Sequence, residues 1–172
     1  MFEKIQQDLR RSYYREVSLW RLPVRFITLR GFRAVAIFRM ANCLYRAGVP
    51  WLPQILTMIN EEFHTVAINH KADIGAGLTL PHAFGITVSP GVKIGPNAQI
   101  FHGVGIGSVK GKFPTIGSDF VAYASAQIAG GLIIGDRVTI GANCTIITDI
   151  DSDNTVAQGR NMVIKKEVAD DE

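Results

Sequence analysis

Between Ile74 and about Asp151 a branched apolar residue, usually followed by a small one, returns every six positions. This spacing admits few folds. It is cleanest from 116 to 146, through Ile116, Ala122, Ile128, Ile134, Ile140 and Ile146. Ala126, Leu132, Val138 and Cys144 lie two places before four of these, and Gly or Ala directly follows Ile116, Ile128, Ile134 and Ile140. Upstream the same beat runs through Ile74, Leu80, Ile86, then Val88, Ile94, Ile100 and Ile106. Six matches neither the helical period of about 3.6 nor the strand period of 2. It matches a solenoid whose short strands turn a corner every six residues, stacking each apolar side chain on its counterpart one coil away. Three hexapeptides make one triangular coil. Small residues follow the apolar ones because a corner leaves little room. The expected fold is therefore mainly β, a solenoid of hexapeptide repeats.

Two breaks in the beat carry information. The phase slips by two residues between Ile86 and Val88. Between Ile106 and Ile116 there are four residues more than one hexapeptide needs, so 108–115 should bulge out as a loop. Loops on a rigid scaffold commonly carry function.

Ahead of the repeat, the chain changes character. Phe26, Leu29, Phe32, Val35, Ala36, Phe38, Met40, Leu44 and Tyr45 recur at helical spacing, and Ile55, Met58 and Ile59 continue it after Pro53. Two or three amphipathic helices are expected, with Gly48 to Pro53 as a hinge between them. They form an N-terminal α-helical cap over the open end of the first coil. The expected divisions are 1–66 for the helical region, 67–151 for the β-helix with its loop, and 152–172 for a C-terminal arm and acidic tail. Charged residues make up 19% and hydrophobic ones 47%, which excludes a disordered chain and a membrane span. No apolar stretch follows the N-terminus, so no signal peptide is expected, and Cys43 and Cys144 read as reduced residues of a cytoplasmic protein.

Charge is unevenly shared. Residues 1–60 hold ten Lys/Arg against three Asp/Glu, a net of +7, while the remainder nets −4. Two readings of this basic half stand open. Its cations form a solvated face that packs on the solenoid or a neighbour, or they contact an anionic membrane surface or a lipid-linked, phosphate-bearing substrate. Nucleic acid is not expected, since no aromatic-interleaved motif accompanies the charge.

Chemistry turns on the histidines, which number four: His64, His70, His82 and His102. His82 follows Leu80 by two and His102 follows Ile100 by two, and Leu80 and Ile100 occupy equivalent places on successive coils. The two rings should therefore stack on one face, separated by about one strand spacing, roughly 4.8 Å. A neutral imidazole there can serve as a general base near pH 7. With loop 108–115 starting just beyond, the pair should flank a cleft. No third ligand falls at matching spacing, so no metal is expected. Asp119 and Asp136 lie just past corners and read as turn residues.

The repeat, the stretch Leu80-Pro-His-Ala-Phe-Gly-Ile86 and the stretch Ile100-Phe-His-Gly-Val-Gly-Ile-Gly107 resemble the hexapeptide acyltransferases, and within them the serine acetyltransferase branch. Gly31 to Arg46 is similar to the helical entry into that branch's solenoid, so the resemblance covers about residues 31–164. It implies a left-handed parallel β-helix, a homotrimer, and acetyl-CoA lying between neighbouring solenoids as co-substrate. It implies direct transfer, a His deprotonating the acceptor hydroxyl, with His82 or His102 as catalytic base. Position by position, Gly107 and Ser108 match the thioester end of the cofactor site, with the Ser108 N–H facing the developing oxyanion. Ala124 and Ala142 match small residues lining the pantetheine groove. Arg160, Lys165 and Lys166 fall where the family closes over the CoA nucleotide.

The sequence also departs from that branch. An Asp that pairs with the catalytic His would fall at Ala67, the residue before the His is Pro81, and the serine-holding Arg-His-Pro of the loop becomes Lys112-Phe113-Pro114. His102-Gly103 is similar to sugar O-acetyltransferases of exopolysaccharide and colanic-acid type, and Glu61 falls near an acidic residue of that group, a candidate partner for a His. The expected activity is acetyl transfer to a sugar hydroxyl in surface-polysaccharide biosynthesis, in the cytoplasm at the inner face of the membrane. Serine O-acetylation for cysteine biosynthesis is the alternative, and a non-catalytic solenoid scaffold a third.

Overall fold

A computed structural model describes residues 2–13 and 29–158 of the 172. Among the described residues, three helices precede thirteen short strands: α1 (Phe2–Tyr13), α2 (Arg30–Arg46) and α3 (Leu52–His64). The strands fall into three parallel sheets, one per side of a triangular solenoid. The first sheet orders β1 (Val66–Ile68), β3 (Ile86–Val88), β6 (Gly105–Gly107), β9 (Gln127–Ala129) and β12 (Thr145–Ile146). The second stacks β2 (Asp73–Ile74), β4 (Lys93–Ile94), β7 (Thr115–Ile116) and β10 (Ile133–Ile134). The third stacks β5 (Gln99–Ile100), β8 (Val121–Ala122), β11 (Thr139–Ile140) and β13 (Thr155–Val156).

Register explains the hexapeptide beat. Ile68, Val88, Ile106, Ile128 and Ile146 lie one above another in the first sheet. Ile74, Ile94, Ile116 and Ile134 do so in the second, and Ile100, Ala122, Ile140 and Val156 in the third. Nearly all these side chains are buried, so the interior is three continuous apolar columns. Each buried methylene contributes about 0.8 kcal/mol, which makes the columns the main stabilising element. The slip at 86–88 has a simple cause. Strand β3 turns both Ile86 and Val88 inward, Ile86 onto Val66 and Val88 onto Ile68.

The expected loop is a small hairpin. Val109 and Lys112 exchange both backbone hydrogen bonds, at 3.1 and 3.0 Å, around Lys110 and Gly111. Both central residues have positive φ, 50° and 75°, as a two-residue type I′ turn requires. Asp119 takes a left-handed conformation (φ 54°) at a corner, and Asp136 accepts from the Ser118 N–H and hydroxyl of the coil above.

The helices close the open end of the solenoid through buried polar contacts. Asp8 is fully buried and accepts from Arg39 Nε at 2.9 Å, from Arg39 Nη2 at 3.1 Å, and from the Gly77 and Leu78 N–H groups. Arg39 spends its other donors on the Ile74 and Gly75 carbonyls. Asn42 caps the first coil by donating to the His70 and Ala72 carbonyls. Glycine is required where α2 lands: a Cβ on Gly31 would sit 2.0 Å from the Leu80 carbonyl oxygen. At the end of α3, buried His64 accepts from Arg33 Nε at 2.6 Å. Among the described residues, Lys4, Arg30, Arg33 and Arg39 of the basic half are spent on contacts within the chain, while Arg46 pairs with Asp73 at the surface. Among the described residues, no helix is long and apolar enough to cross a membrane.

Two stability predictions follow from this joint. Asp8→Ala leaves the Arg39 charge buried without its partner, and should lower the unfolding free energy by about 3–5 kcal/mol in urea titrations. Limited proteolysis should then cut between α1 and α2 sooner than in wild type. Burial, then the Arg33 and Arg30 charges, hold the His64 pKa below its ordinary value. An unfolded His binds its proton from about pH 6.5 downward while the folded one does not, so stability should fall as pH drops below about 6.5. His70, also lowered by burial, adds to the same slope. Unfolding midpoints measured from pH 8 to 5 should show this slope, reduced in His64→Gln, whose side-chain oxygen still accepts from Arg33.

Candidate functional site

The corner between the third sheet and the first positions the chemistry. Residues two places after the inward column of that sheet stack on successive coils: His82, His102, Ala124 and Ala142. The register is carried by the Thr79–Gln99 bridge and the Ile100–Ala122–Ile140 column. Backbone bonds tie these corners together, with Ser125 N donating to the His102 carbonyl and Asn143 N to the Ala124 carbonyl, each at 2.9 Å. The structure places the His82 and His102 rings side by side, centroids 5.9 Å apart and nearly perpendicular at 81°. Both residues are exposed. His82 also meets the Phe101 ring at 6.0 Å, and Phe101 stacks on Tyr123 at 5.0 Å. Among the described residues no carboxylate bonds to either imidazole; the neighbouring rings set their orientation. Below the histidines, Ala124 and Ala142 continue the column with small side chains.

A cavity of about 530 Å³ opens beside His82. It lies elsewhere than expected. Its walls are the end of α1, the start of α2 and the Thr79–Phe84 corner, with Arg11, Ser12, Arg30, Thr79 and Gln99 lining it, and neither His102 nor the hairpin contributes. The helices supply this wall because the Asp8–Arg39 pair and the Gly31 contact hold them against the first coil. Arg11, Arg30, Thr79 and Gln99 were not legible as site residues. The only signal for the arginines was the basic bias of residues 1–60.

The remaining expected residues spread over other places. Gly107 and Ser108 lie at the opposite edge of the first sheet from the histidine column, where the hairpin begins. Lys112 is exposed on the hairpin with its side chain against Gly131. Phe113 is half-buried, its ring packed so closely over Gly91 that a Cβ there would lie 2.4 Å from it. Glu61 is exposed on α3, and no hydrogen bond joins it to His82 or His102 within the chain. Arg160, Lys165 and Lys166 lie outside the described residues. No metal-holding group of His, Cys, Asp and Glu occurs among the described residues.

Comparison with known proteins places this architecture. Residues 113–148 match the bacterial transferase hexapeptide (six repeats) family. The serine acetyltransferase of Helicobacter pylori is 30% identical over 141 residues, spanning 80% of this chain and 82% of that protein. That of Bacillus subtilis is 28% identical over 155 residues, 88% of this chain and 67% of its own length. Among solved structures, Neisseria gonorrhoeae serine acetyltransferase in complex with serine superposes with a TM-score of 0.82 at 30% identity, covering 91% of this chain and 66% of its own. A serine acetyltransferase in complex with CoA superposes with a TM-score of 0.81 at 26% identity over 94% of this chain and 68% of its own.

These relatives overturn the expected sugar acceptor and surface-polysaccharide biosynthesis, and they lend no support to a lipid-linked substrate or a membrane-side contact. That expectation weighed a few local positions against the whole chain. The structure shows why two of them misled. Gly103 adopts φ +70°, and a Cβ there would come 2.8 Å from Ser125 Oγ, so His-Gly reports corner geometry rather than a kind of acceptor. Phe113 in the loop motif reports packing on Gly91. With a parallel β-helix, N-terminal helices and a relative of this identity and coverage, the chain belongs to the serine acetyltransferase family of hexapeptide-repeat transferases and is a CoA-dependent acetyltransferase.

Proposed function

We propose that the protein transfers the acetyl group of acetyl-CoA to the hydroxyl of serine. The observation that carries this reading is the cavity against His82 on a chain whose relatives, over most of its length, are serine acetyltransferases. His82, rather than His102, borders the cavity and is the general base. Its neutral imidazole takes the hydroxyl proton as the oxygen attacks the thioester carbonyl. A tetrahedral oxyanion forms, the carbon–sulfur bond breaks, and the protonated His82 returns its proton to the leaving thiolate. His102 packs against His82 and holds its ring for this cycle. The Ser108 N–H, at the start of the hairpin, supports the oxyanion, an interaction worth about 2.7–4 kcal/mol in comparable sites. Ala124 and Ala142, below the histidines, leave room for the pantetheine arm, and Lys112 and the cations at 160–166 meet its phosphates.

Within one subunit, the first sheet separates the histidine column from Ser108. A substrate touching both needs two copies, the hairpin of one facing the histidine column of the next. This supports a cyclic homotrimer with three shared sites.

Steady-state thiol release from acetyl-CoA with serine as acceptor tests the roles. His82→Ala should lose more than about a hundredfold in kcat, the scale of a general base. His102→Ala should lose less, and activity equal to wild type in both variants would end the base assignment. For the shared site, subunits carrying His82→Ala are co-assembled with subunits carrying Ser108→Pro, which removes the oxyanion donor. Mixed assemblies should regain activity that neither parent has; no regain would place each site within a single subunit.

A further inference from the structure

The cavity beside His82 has a charge pattern that general base catalysis does not need. Among its described lining residues are two guanidiniums, Arg11 and Arg30, and no carboxylate. They approach from different elements: Arg11 from the last turn of α1 and Arg30 from the first residue of α2. Neither is consumed by its own contacts. Arg30 gives Nη2 to the His64 carbonyl at 3.1 Å, and Arg11 keeps only a long, partly exposed contact with Asp119 at 3.8 Å. A guanidinium carries five N–H donors in a planar fork, so both retain donors for a ligand. Thr79, Gln99 and His82 line the same space.

A cavity of this volume lies within the range of small-molecule sites. Two arginines and a histidine line one cavity with no carboxylate among its described lining residues, and this pattern selects an acceptor that brings its own negative charge alongside its hydroxyl. A planar carboxylate fits the fork geometry best. We propose that Arg11 and Arg30 form a carboxylate-recognition site that seats the acceptor with its hydroxyl toward His82. This assignment rests on the hydroxyl-acetylation reading above and deepens it. Serine's carboxylate engages the arginines, and its ammonium faces Gln99 and Thr79. The arginines hold the acceptor in the cavity. They act by positioning; the proton and the acetyl group pass elsewhere.

The test compares acceptors with and without the carboxylate. KM and kcat are measured for L-serine and for L-serinamide in wild type, Arg11→Gln, Arg30→Gln and the corresponding lysine variants. Wild type should prefer serine. Each glutamine variant should raise KM for serine about ten- to a hundredfold, the worth of a hydrogen bond to a charged group. Serinamide kinetics and the KM for acetyl-CoA should barely change, and the lysine variants should recover part of the loss. Asp119→Asn separates recognition from scaffolding: if Arg11 served only to tie α1 to Asp119, this variant would reproduce the Arg11→Gln defect. Unchanged serine KM, or equal losses for serine and serinamide, would overturn the proposal. Calorimetric binding of glycerate, which carries the carboxylate and hydroxyls without the amine, covers the remaining case. Arginine-dependent glycerate binding in a protein that does not acetylate serine would sink the serine reading and uphold the carboxylate site. Glycerate binding that ignores both arginines would sink the site itself.

Discussion

One buried carboxylate joins the first two described helices to the solenoid. Asp8 lies in the first helix, yet it takes both arms of Arg39 from the second helix and two backbone N–H groups, Gly77 and Leu78, from the first coil. Three separate pieces of chain are fixed by one group. A charge removed from water in this way is tolerated only when its hydrogen-bonding capacity is filled, and here four donors converge on it. The consequence reaches the chemistry. Arg11 stands one turn beyond Asp8, so the contact that covers the solenoid's open end also sets a cation at the wall of the cavity beside His82. The Gly31–Leu80 approach does the same for the second helix, one residue from Arg30.

The solenoid itself could be read residue by residue because each coil repeats a local rule. Six-residue spacing gave the columns, the surplus between Ile106 and Ile116 gave the hairpin, and equal offsets from Leu80 and Ile100 brought His82 and His102 together. Contacts between elements far apart in sequence had no such rule. Nothing in the spacing of Asp8 and Arg39 announces a pair across 31 residues, and nothing marks Arg11 as a neighbour of His82. The cleft was expected toward the hairpin because the hairpin is near His102 in sequence. It lies instead against the helices, which are near His82 only in space.

The acceptor was misread for a related reason. Pro81 and Phe113 read as departures from the serine branch and His102-Gly103 as a sugar-type mark, but a residue in a tight solenoid answers first to the coil above and below it. Gly103 is forced by its φ and by Ser125, and Phe113 is occupied by Gly91. Similarity across the whole chain averages over such local demands, and it points to serine acetyltransferases. Among the described residues, the basic half, too open to interpretation from charge alone, supplies internal ties such as Arg39 and Arg33 and two arginines, Arg11 and Arg30, that line the cavity.

The central claim is that acetyl passes from CoA to a serine hydroxyl in the space beside His82. The most direct measurement incubates the wild-type protein with acetyl-CoA labelled with carbon-13 in the acetyl group, offering L-serine alone, and follows the carbonyl resonance by NMR. Conversion of the thioester signal into the ester signal of O-acetylserine, with free CoA formed in equal amount, is the expected result. A thioester signal that persists in the presence of serine, or that decays only to acetate, would contradict it.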